Sequence, residues 1–597
     1  MPRAYLDGAA LLLASAFSAC LLPSFQKVDE QPVAQGGGAG AAGSSAPSAG
    51  EQNQAGEAGS TGALGPTPVD DVFSVLEGGK LKIAAPGVLE NDEGASLTVS
   101  VSDDTDTRRP SKYDASTLVI DADGALTFEP QPDFFGTYSV QYTVLDKDGQ
   151  TATANVTIHV QPVRAKLTTV RDGVGGFVID GAADEGIGSA IAGAGDINND
   201  GFDDLLIGAA AAGASGAGRA YVVYGRAKAA PVALKALAPK SSERTFVSFD
   251  GADGDGAGNS VAGIGDLNGD GFSDFAIAAS KASPGGAVYV LYGGGALSGG
   301  LALSGAGAAR GVILTGDTTP IGASISRAGD VNGDGTPDLL VSGASTKGRV
   351  YAVLGSDALQ SSVIDAQPNL LQIEGDSGPE ALPQGMDFVG HVNGDRRDEV
   401  VVSSLVAVTM LLGTGGPYPT SDGSMISTNG MQGGWRYGLK VPQTPAVAGA
   451  GNVDGDPAGT DDLLICETRD SALQCRVVFS PPVVLDDGWQ FTGFSDMPSV
   501  THGADINDDG FSDLVFGDAE KSYVVFGKRS GHNPVDVTAL DDGSSGFAFQ
   551  SEAAAESVSS VATVGDVNGD GIADYAIGVA KANGGTGSVY VVFGEKY

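Results

Sequence analysis

Aspartate and asparagine recur in a nine-residue pattern suited to gripping a hard divalent cation. The stretches at 196 (DINNDGFDD), 266 (DLNGDGFSD), 330 (DVNGDGTPD), 505 (DINDDGFSD) and 566 (DVNGDGIAD) carry Asp, Asn, Asp and Asp at positions 1, 3, 5 and 9. Oxygen donors at alternating positions of a tight turn point inward together, and Gly at position 6 permits the sharp bend. Carboxylates this close repel one another unless a cation sits among them. The first donor set is Asp196, Asn198, Asp200, the Phe202 carbonyl and Asp204. The second is Asp266, Asn268, Asp270, Phe272 and Asp274, and the third is Asp330, Asn332, Asp334, Thr336 and Asp338. Asp505, Asn507, Asp509, Phe511 and Asp513 form the next, and Asp566, Asn568, Asp570, Ile572 and Asp574 the last. All-oxygen ligation without His or Cys favours Ca2+ over zinc, so about five calcium ions are expected.

Helix-flanked calcium loops begin in the same way but need an acid at position 12. Here that position is Ile207, Ile277, Val341, Phe516 or Ile577, inside an apolar run, so a helical setting is excluded. Position 4 (Asn199, Gly269, Gly333, Asp508, Gly569) reads as freely variable, as a non-ligand should be. Two eroded copies lie between the intact ones. In HVNGDRRDE, His391 takes position 1 and Asp398 reads as arriving one residue early after Arg396 and Arg397, so the basic residues are expected to replace the ion. In NVDGDPAGTDD, Asn452, Asp454 and Asp456 precede a two-residue insertion before Asp462, which predicts weak or absent binding.

The elements that hold these loops repeat with them. Seven loop starts recur about every 62 residues, a period typical of propellers and solenoids. Small residues precede most loops (SAIAGAG, SVAGIG, SVATVG), an apolar run follows, and then an aromatic-rich run (RAYVVYG, AVYVLYG, SVYVVFG). Small residues suit strands converging on an axis and aromatics suit a wider rim, a taper that belongs to a propeller. The last repeat ends after its third strand, so its outer strand must come from elsewhere. Gly176–Asp180 is the spare copy and is expected to pair with 588–593. These units resemble the FG-GAP repeats of integrin α-chain headpieces and related bacterial surface proteins. The resemblance implies a seven-bladed β-propeller over 171–597, with ions on one face and partners met mainly through loops on the other. Connections 227–245, 295–310 and 413–437, the last with Tyr418, Trp435 and Tyr437, are the candidate partner loops.

Upstream, 67–162 holds short alternating strands separated by Asp-Gly turns, which read as one β-sandwich. GVLENDEG and GALTFEPQPDFFGTYSVQYTVLDKDGQTATANVTIHV resemble cadherin-like and bacterial Ig-like repeats. Asn91, Asp92 and Asp146 either touch an ion there or are turn residues. The expected fold is therefore all-β: a seven-bladed β-propeller with an N-terminal β-sandwich domain.

Residues 23–66 are mostly Gly, Ala, Ser, Gln and Pro, too apolar-poor to offset their ordering entropy, and read as a disordered linker with a mean reach of roughly 35 Å. Residues 1–22 read as a leader whose apolar run is too short to span a bilayer. Phe17-Ser18-Ala19-Cys20 resembles a bacterial lipoprotein box, with Cys20 as the lipidated residue, while Ala14-Ser15-Ala16 offers an ordinary cleavage site. Export to the surface or outer membrane, lipidated or free, is expected. Cys466 and Cys475 lie on two apolar runs joined by a polar turn, and stand either as a disulfide or as two buried thiols.

A net charge of −41 repels nucleic acid and anionic membranes, leaving a lipid anchor as the only membrane contact expected. Glycine, at 92 residues without a collagen period, points to turn-dense β structure. The four His are scattered, and neither a zinc-protease nor a nucleophile-elbow motif is present. The acidic loops and the resemblance to FG-GAP proteins imply a monomeric calcium-binding surface or adhesion module for a protein or glycan, without catalytic residues. A calcium-dependent polysaccharide lyase or glycosidase on the same scaffold is the alternative.

Overall fold

The strand after each acidic loop is apolar at successive positions because both of its faces are covered. In the computed structural model Asp204–Ala209, Asp274–Ala279 and Asp574–Val579 are buried along their whole length. The structure describes residues 65–595 apart from 77–78, 102–116, 131–135, 162–166, 174, 214, 228–231, 235–244, 296–298, 318, 368–369, 376–382, 384, 414–425, 428–434, 440–442, 480–487, 541–544 and 551–556. The leader with Cys20, nearly all of the linker, and Tyr418 lie outside the described residues.

Two sheets build the N-terminal domain. Thr98–Val101, Gly136–Leu145 and Thr151–Gln161 form an antiparallel ladder, and Asp71–Leu76 joins it parallel to Thr151–Gln161. Leu81–Ile83, Leu126–Glu129 and Thr117–Ile120 form the second sheet. Phe128, Tyr142, Val156 and Ile158 fill the space between them. Asp92 accepts the Val69 N–H from a distant segment, whereas Asp146 accepts the Asp148 and Gln150 N–H groups and so braces its own turn. The Tyr142 hydroxyl reaches Asp71 Oδ2 (2.8 Å) and the Val88 carbonyl (2.9 Å).

Among the described residues seven further sheets follow, one for each repeat. In the first, Ala190–Gly195, Asp204–Ala209, Arg219–Val223 and Phe246–Asp250 pair antiparallel in chain order. Ala190–Gly195 packs between Val261–Gly265 of the second sheet and Ser560–Gly565 of the seventh. There is no room for larger side chains at these contacts. A Cβ on Gly263 would stand 2.1 Å from the Gly193 carbonyl oxygen, and one on Gly193 2.9 Å from the Val564 Cα. That close approach explains the small-residue runs. The aromatics of the third strands are buried farther out, as Tyr221, Tyr351 and Tyr590 show.

The chain ends join where the sequence requires. Gly176–Asp180 pairs antiparallel with Ser588–Val592, and completes the seventh sheet. A short helix just upstream, Leu167–Arg171, clasps the junction. Leu167 and Val170 are buried against the cluster containing Tyr590 and Phe547. Arg171 donates to both Asp180 oxygens (3.1 and 2.9 Å) on one terminal strand, and to Ser588 Oγ (3.3 Å) and the Tyr590 hydroxyl (2.9 Å) on the other.

Neighbouring sheets also share strands, which the sequence did not disclose. Val232–Ala233, Gly299–Ala302, Ser362–Val363, Ile426–Ser427 and Val535–Asp536 each pair parallel to the outer strand of the preceding sheet. Each lies in the connection to its own repeat's outer strand, so successive repeats overlap. Two of the connections expected to meet a partner carry such strands. The described parts of 227–245 and 295–310 are a pairing strand and, in the second, a strand followed by the helix Leu303–Arg310. Short strands with a free hydrogen-bonding edge are stabilised by pairing, and these segments satisfy the neighbour's edge. In the third connection, Tyr437 donates its hydroxyl to Glu467 Oε1 (2.9 Å) and so packs inward. Cys466 and Cys475 face each other across the antiparallel strands Asp462–Arg469 and Ala472–Val478, and are joined as a disulfide.

Two outcomes follow from these contacts. Replacing Arg171 with Ala should lower propeller stability by about 1–2 kcal/mol, with Arg171→Lys recovering only part, as read from urea unfolding midpoints. Asp71 has its carboxyl pushed up to about 6 from 3.8, chiefly by burial. A raised folded-state pKa means the folded domain binds the proton more tightly than the unfolded chain, so this contribution falls as pH rises from about 4 to 6. Asp71→Asn should abolish that decline, measured as the domain's melting temperature against pH.

Candidate metal centres

Each intact loop is braced by its own amides. Asp266 accepts the Asp270 N–H on Oδ1 (2.9 Å) and the Gly271 N–H on Oδ2 (2.8 Å), and Asp270 Oδ1 accepts the Phe272 N–H (3.1 Å). Asn268 accepts the Asp270 N–H and donates to Asp270 Oδ2 (3.0 Å). The loops of Asp196, Asp330, Asp505 and Asp566 repeat the bonds from positions 5 and 6 to position 1. Positions 4 and 6 both have positive φ, from 55° at Asp508 to 90° at Gly201 and Gly271. Position 4 is therefore not freely variable. It holds only Gly, Asn or Asp, the residues that tolerate the left-handed region best.

The position 9 acid has a second task. Asp574 Oδ2 accepts the Val567 N–H (2.9 Å) at the loop's start, and Oδ1 accepts the Gly594 N–H (2.8 Å) after the third strand. Asp204, Asp274, Asp338 and Asp513 are bound in the same way. All five are fully buried. Burial pushes Asp204 and Asp574 up to about 8, and Asp274 and Asp338 up to about 7; their amide bonds oppose the shift. Asp513 is raised well above the ordinary carboxylate range for the same reason. In every case the carboxylates at positions 1 and 5 add repulsion.

Those side chains are near enough to repel, and Asn198 Oδ1 is buried without a hydrogen-bond partner. An unpaired oxygen beside mutually repelling carboxylates fits a hard divalent cation in chemistry. Among the described residues, however, no three His, Cys, Asp or Glu side chains are drawn into one metal-holding group. The position 7 side chains take no part in the donor set and pack sideways. Phe202 lies against Gly569 of the neighbouring loop and Phe511 against Gly455, where an added Cβ would clash at 2.5 and 2.4 Å.

The eroded loops keep the frame. Asp398 does not arrive early: it holds position 8, and Glu399 holds position 9. Glu399 accepts the Val392 N–H (2.8 Å) and the Gly413 N–H (3.3 Å), and burial raises its carboxyl to about 7. Asp398 instead accepts the Asp330 N–H of the preceding loop (2.7 Å), just as Asp203 accepts that of Asp566 (2.8 Å) and Asp461 that of His391 (2.9 Å). Counting from His391 would have identified Glu399, but the Asp beside it drew attention away. Arg397 pairs with Asp395 (3.2 Å), and His391 Nε2 lies 3.4 Å from Asp398. In the other eroded loop Asp456 accepts the Asn452-loop bonds of Thr460, from N–H and Oγ1 (both 2.8 Å), while Asp462 accepts the Val453 N–H (3.1 Å).

Known families match three parts of the chain: the bacterial Ig domain over 65–159, the FG-GAP repeat over 188–223 and the FG-GAP-like repeat over 266–341. The chain thus carries an Ig-like domain followed by FG-GAP repeats, an all-β architecture with a propeller and the domain combination of an extracellular or surface protein. No curated protein matches it. Among solved structures it is similar to one titled "Crystal structure of BBS1N in complex with ARL6DN, soaked with lead", at 9% identity and a TM-score of 0.35, over 67% of this chain and 90% of that one. Among the described residues no helix is long and apolar enough to cross a membrane.

Asp574→Ala strips two buried amides of their acceptor. It should cost about 2–4 kcal/mol even in chelator, where no cation contributes, as measured by urea unfolding.

Proposed function

We propose that this protein is an exported binding module whose propeller is stiffened by Ca2+ in the loops starting at Asp196, Asp266, Asp330, Asp505 and Asp566. The reading is carried by the five matched donor sets, whose acids repel one another, and by the unpaired Asn198 oxygen in the first of them. Hard oxygen donors of mixed carboxylate, amide and carbonyl type suit calcium. Bound calcium neutralises the acidic cluster, and the position 9 acid, tied to the end of the third strand, carries that order into the sheet. The Arg397–Asp395 pair supports an ion-free loop at His391. Cys20 lipidation or free secretion delivers the module to the cell surface, where it binds a protein or glycan and performs no catalysis.

Calcium saturation should raise the melting temperature and excess chelator should lower it, since about 2.7 kcal/mol accrues per site at a hundredfold excess over Kd. Elemental analysis should find about five ions per chain, and Asp270→Asn or Asp570→Asn should each remove about one. Equal melting temperatures in calcium and chelator, with no retained calcium, defeats the metal reading. A glycan and surface-protein screen with and without calcium tests the binding role separately.

A further inference from the structure

A cavity of about 480 Å3 lies where the first strands of all seven sheets meet. Five residues before each loop an apolar side chain lines it in every sheet, from Ile191 to Val561. Nearer the loops, three sheets carry the small pairs that close packing favours: Ala192-Gly193, Ala262-Gly263 and Ala448-Gly449. At the same level the other four carry Ser326-Arg327, Asp387-Phe388, Thr501-His502 and Ala562-Thr563. The ring closes without such groups in three sheets, so packing alone does not call for them in four.

These polar side chains converge. Arg327 Nη2 donates to the Phe388 carbonyl (2.7 Å) and to His502 Nδ1 (2.8 Å), and Nη1 donates to the Ala328 carbonyl (3.2 Å). A guanidinium only donates, so Nδ1 accepts and the imidazole proton sits on Nε2. Asp387 accepts from Ser326 Oγ (2.8 Å) and the Gly449 N–H (3.1 Å). Gly449 makes room for the imidazole, since a Cβ there would meet His502 Nδ1 at 2.4 Å. Thr501 and Thr563 hydroxyls stand 3.3 Å apart. Arg327 Nε is buried without an acceptor, 3.6 Å from Asp387 Oδ1. Burial, with the Arg327 charge added, holds His502 well below its ordinary pKa and so neutral. The one Arg charge and the one Asp charge of this tier then cancel; Asp203, the other charged group lining the cavity, belongs to the loop of Asp196 and accepts the Asp566 N–H.

We propose that the axial tier of Arg327, Asp387, His502, Thr501 and Thr563 binds an uncharged polyhydroxylated molecule of the mono- or disaccharide class. A hydroxyl both donates and accepts, matching a tier in which the Arg327 guanidinium donates, the Asp387 carboxylate and the Thr hydroxyls accept, and the Arg and Asp charges cancel. An anion would face Asp387, and a cation would face Arg327. The apolar collar below takes the C–H face of a sugar ring, and the cavity volume lies in the range of small-molecule sites. None of these side chains belongs to a cation loop, so the inference stands or falls apart from the calcium reading.

The test is saturation-transfer NMR and calorimetry on the full mature chain, in calcium and in chelator. The probes are glucose, galactose, mannose, N-acetylglucosamine, cellobiose and maltose, with galacturonate and glucosamine as charged controls. At least one neutral sugar should bind, and Arg327→Gly and His502→Gly should each weaken it by about tenfold or more. Both substitutions install the residue that three sheets already carry at this level. Thr501→Val, which removes only a hydroxyl, should weaken binding several-fold and covers the case in which a glycine variant fails to fold. No binding of any neutral sugar at millimolar concentration, preference for a charged control, or unchanged affinity in the folded variants would overturn the proposal.

Discussion

Every repeat buries one carboxylate in its frame and ties it to backbone from the loop's start. Among the described residues, six of these acids also show a second tie, to the residue closing the third strand. Asp204, Asp274, Asp338, Glu399, Asp513 and Asp574 each accept two such amides. Asp462 accepts the amide at its loop's start across a two-residue insertion. A buried donor left without an acceptor costs more than an average hydrogen bond contributes, so this position tolerates little change. The eroded loops make the point most clearly. They have replaced the acid at position 1 (His391, Asn452) and the glycine at position 6 (Arg396, Pro457) yet retain an acid here, with Glu399 replacing Asp by reaching one methylene farther. The frame and the ion ligands are thus separable, although one side chain belongs to both.

That frame is assembled into a ring by sharing rather than by packing alone. The second shared link is the parallel strand passed outward to the preceding sheet, as Ser362–Val363 is passed to Gly311–Thr315. The third is position 8, where Asp203, Asp398 and Asp461 accept the first amide of the preceding loop. The strand Gly176–Asp180 is a larger version of the same exchange, since the segment before the first repeat supplies the outer strand of the seventh sheet. Arg171 adds charge-assisted bonds to both strands at that seam, where no continuous backbone holds the sheet together.

How much of this was legible depends on the length of the signal. The repeat, the small inner and aromatic outer strands, and the terminal pairing each rest on five or more residues whose chemistry follows burial. The overlapping strands do not. Val232–Ala233 and Val535–Asp536 are two residues long, and no periodicity can be read from two residues. They lie in connections whose length suggested free loops for a partner. Position 4 misled for another reason: Asn199, Asp508 and Gly269 differ as ligands but are alike in tolerating positive φ. Glu399 was hidden by the adjacent Asp398, because identity was weighed above position in the count.

The axial tier follows from the same distinction between what the frame demands and what it merely permits. Close approach of the inner strands demands small residues, and sheets 1, 2 and 5 comply with Gly193, Gly263 and Gly449. Where Arg327, Asp387 and His502 stand instead, the axis has taken on charge, desolvation and unequal hydrogen bonding at a place that apolar packing fills elsewhere. Burying a polar group is unfavourable unless its partners are supplied, and the protein supplies nearly all of them. Phe388 and Gly449 contribute main-chain groups, and Gly449 gives up a side chain so that the imidazole can enter. The arrangement is complete except at Arg327 Nε, which is buried and unpaired beside a carboxylate just beyond bonding reach. A frame that needed only closure would have kept glycine at that level in all seven sheets; one that also receives a ligand keeps a donor in reserve.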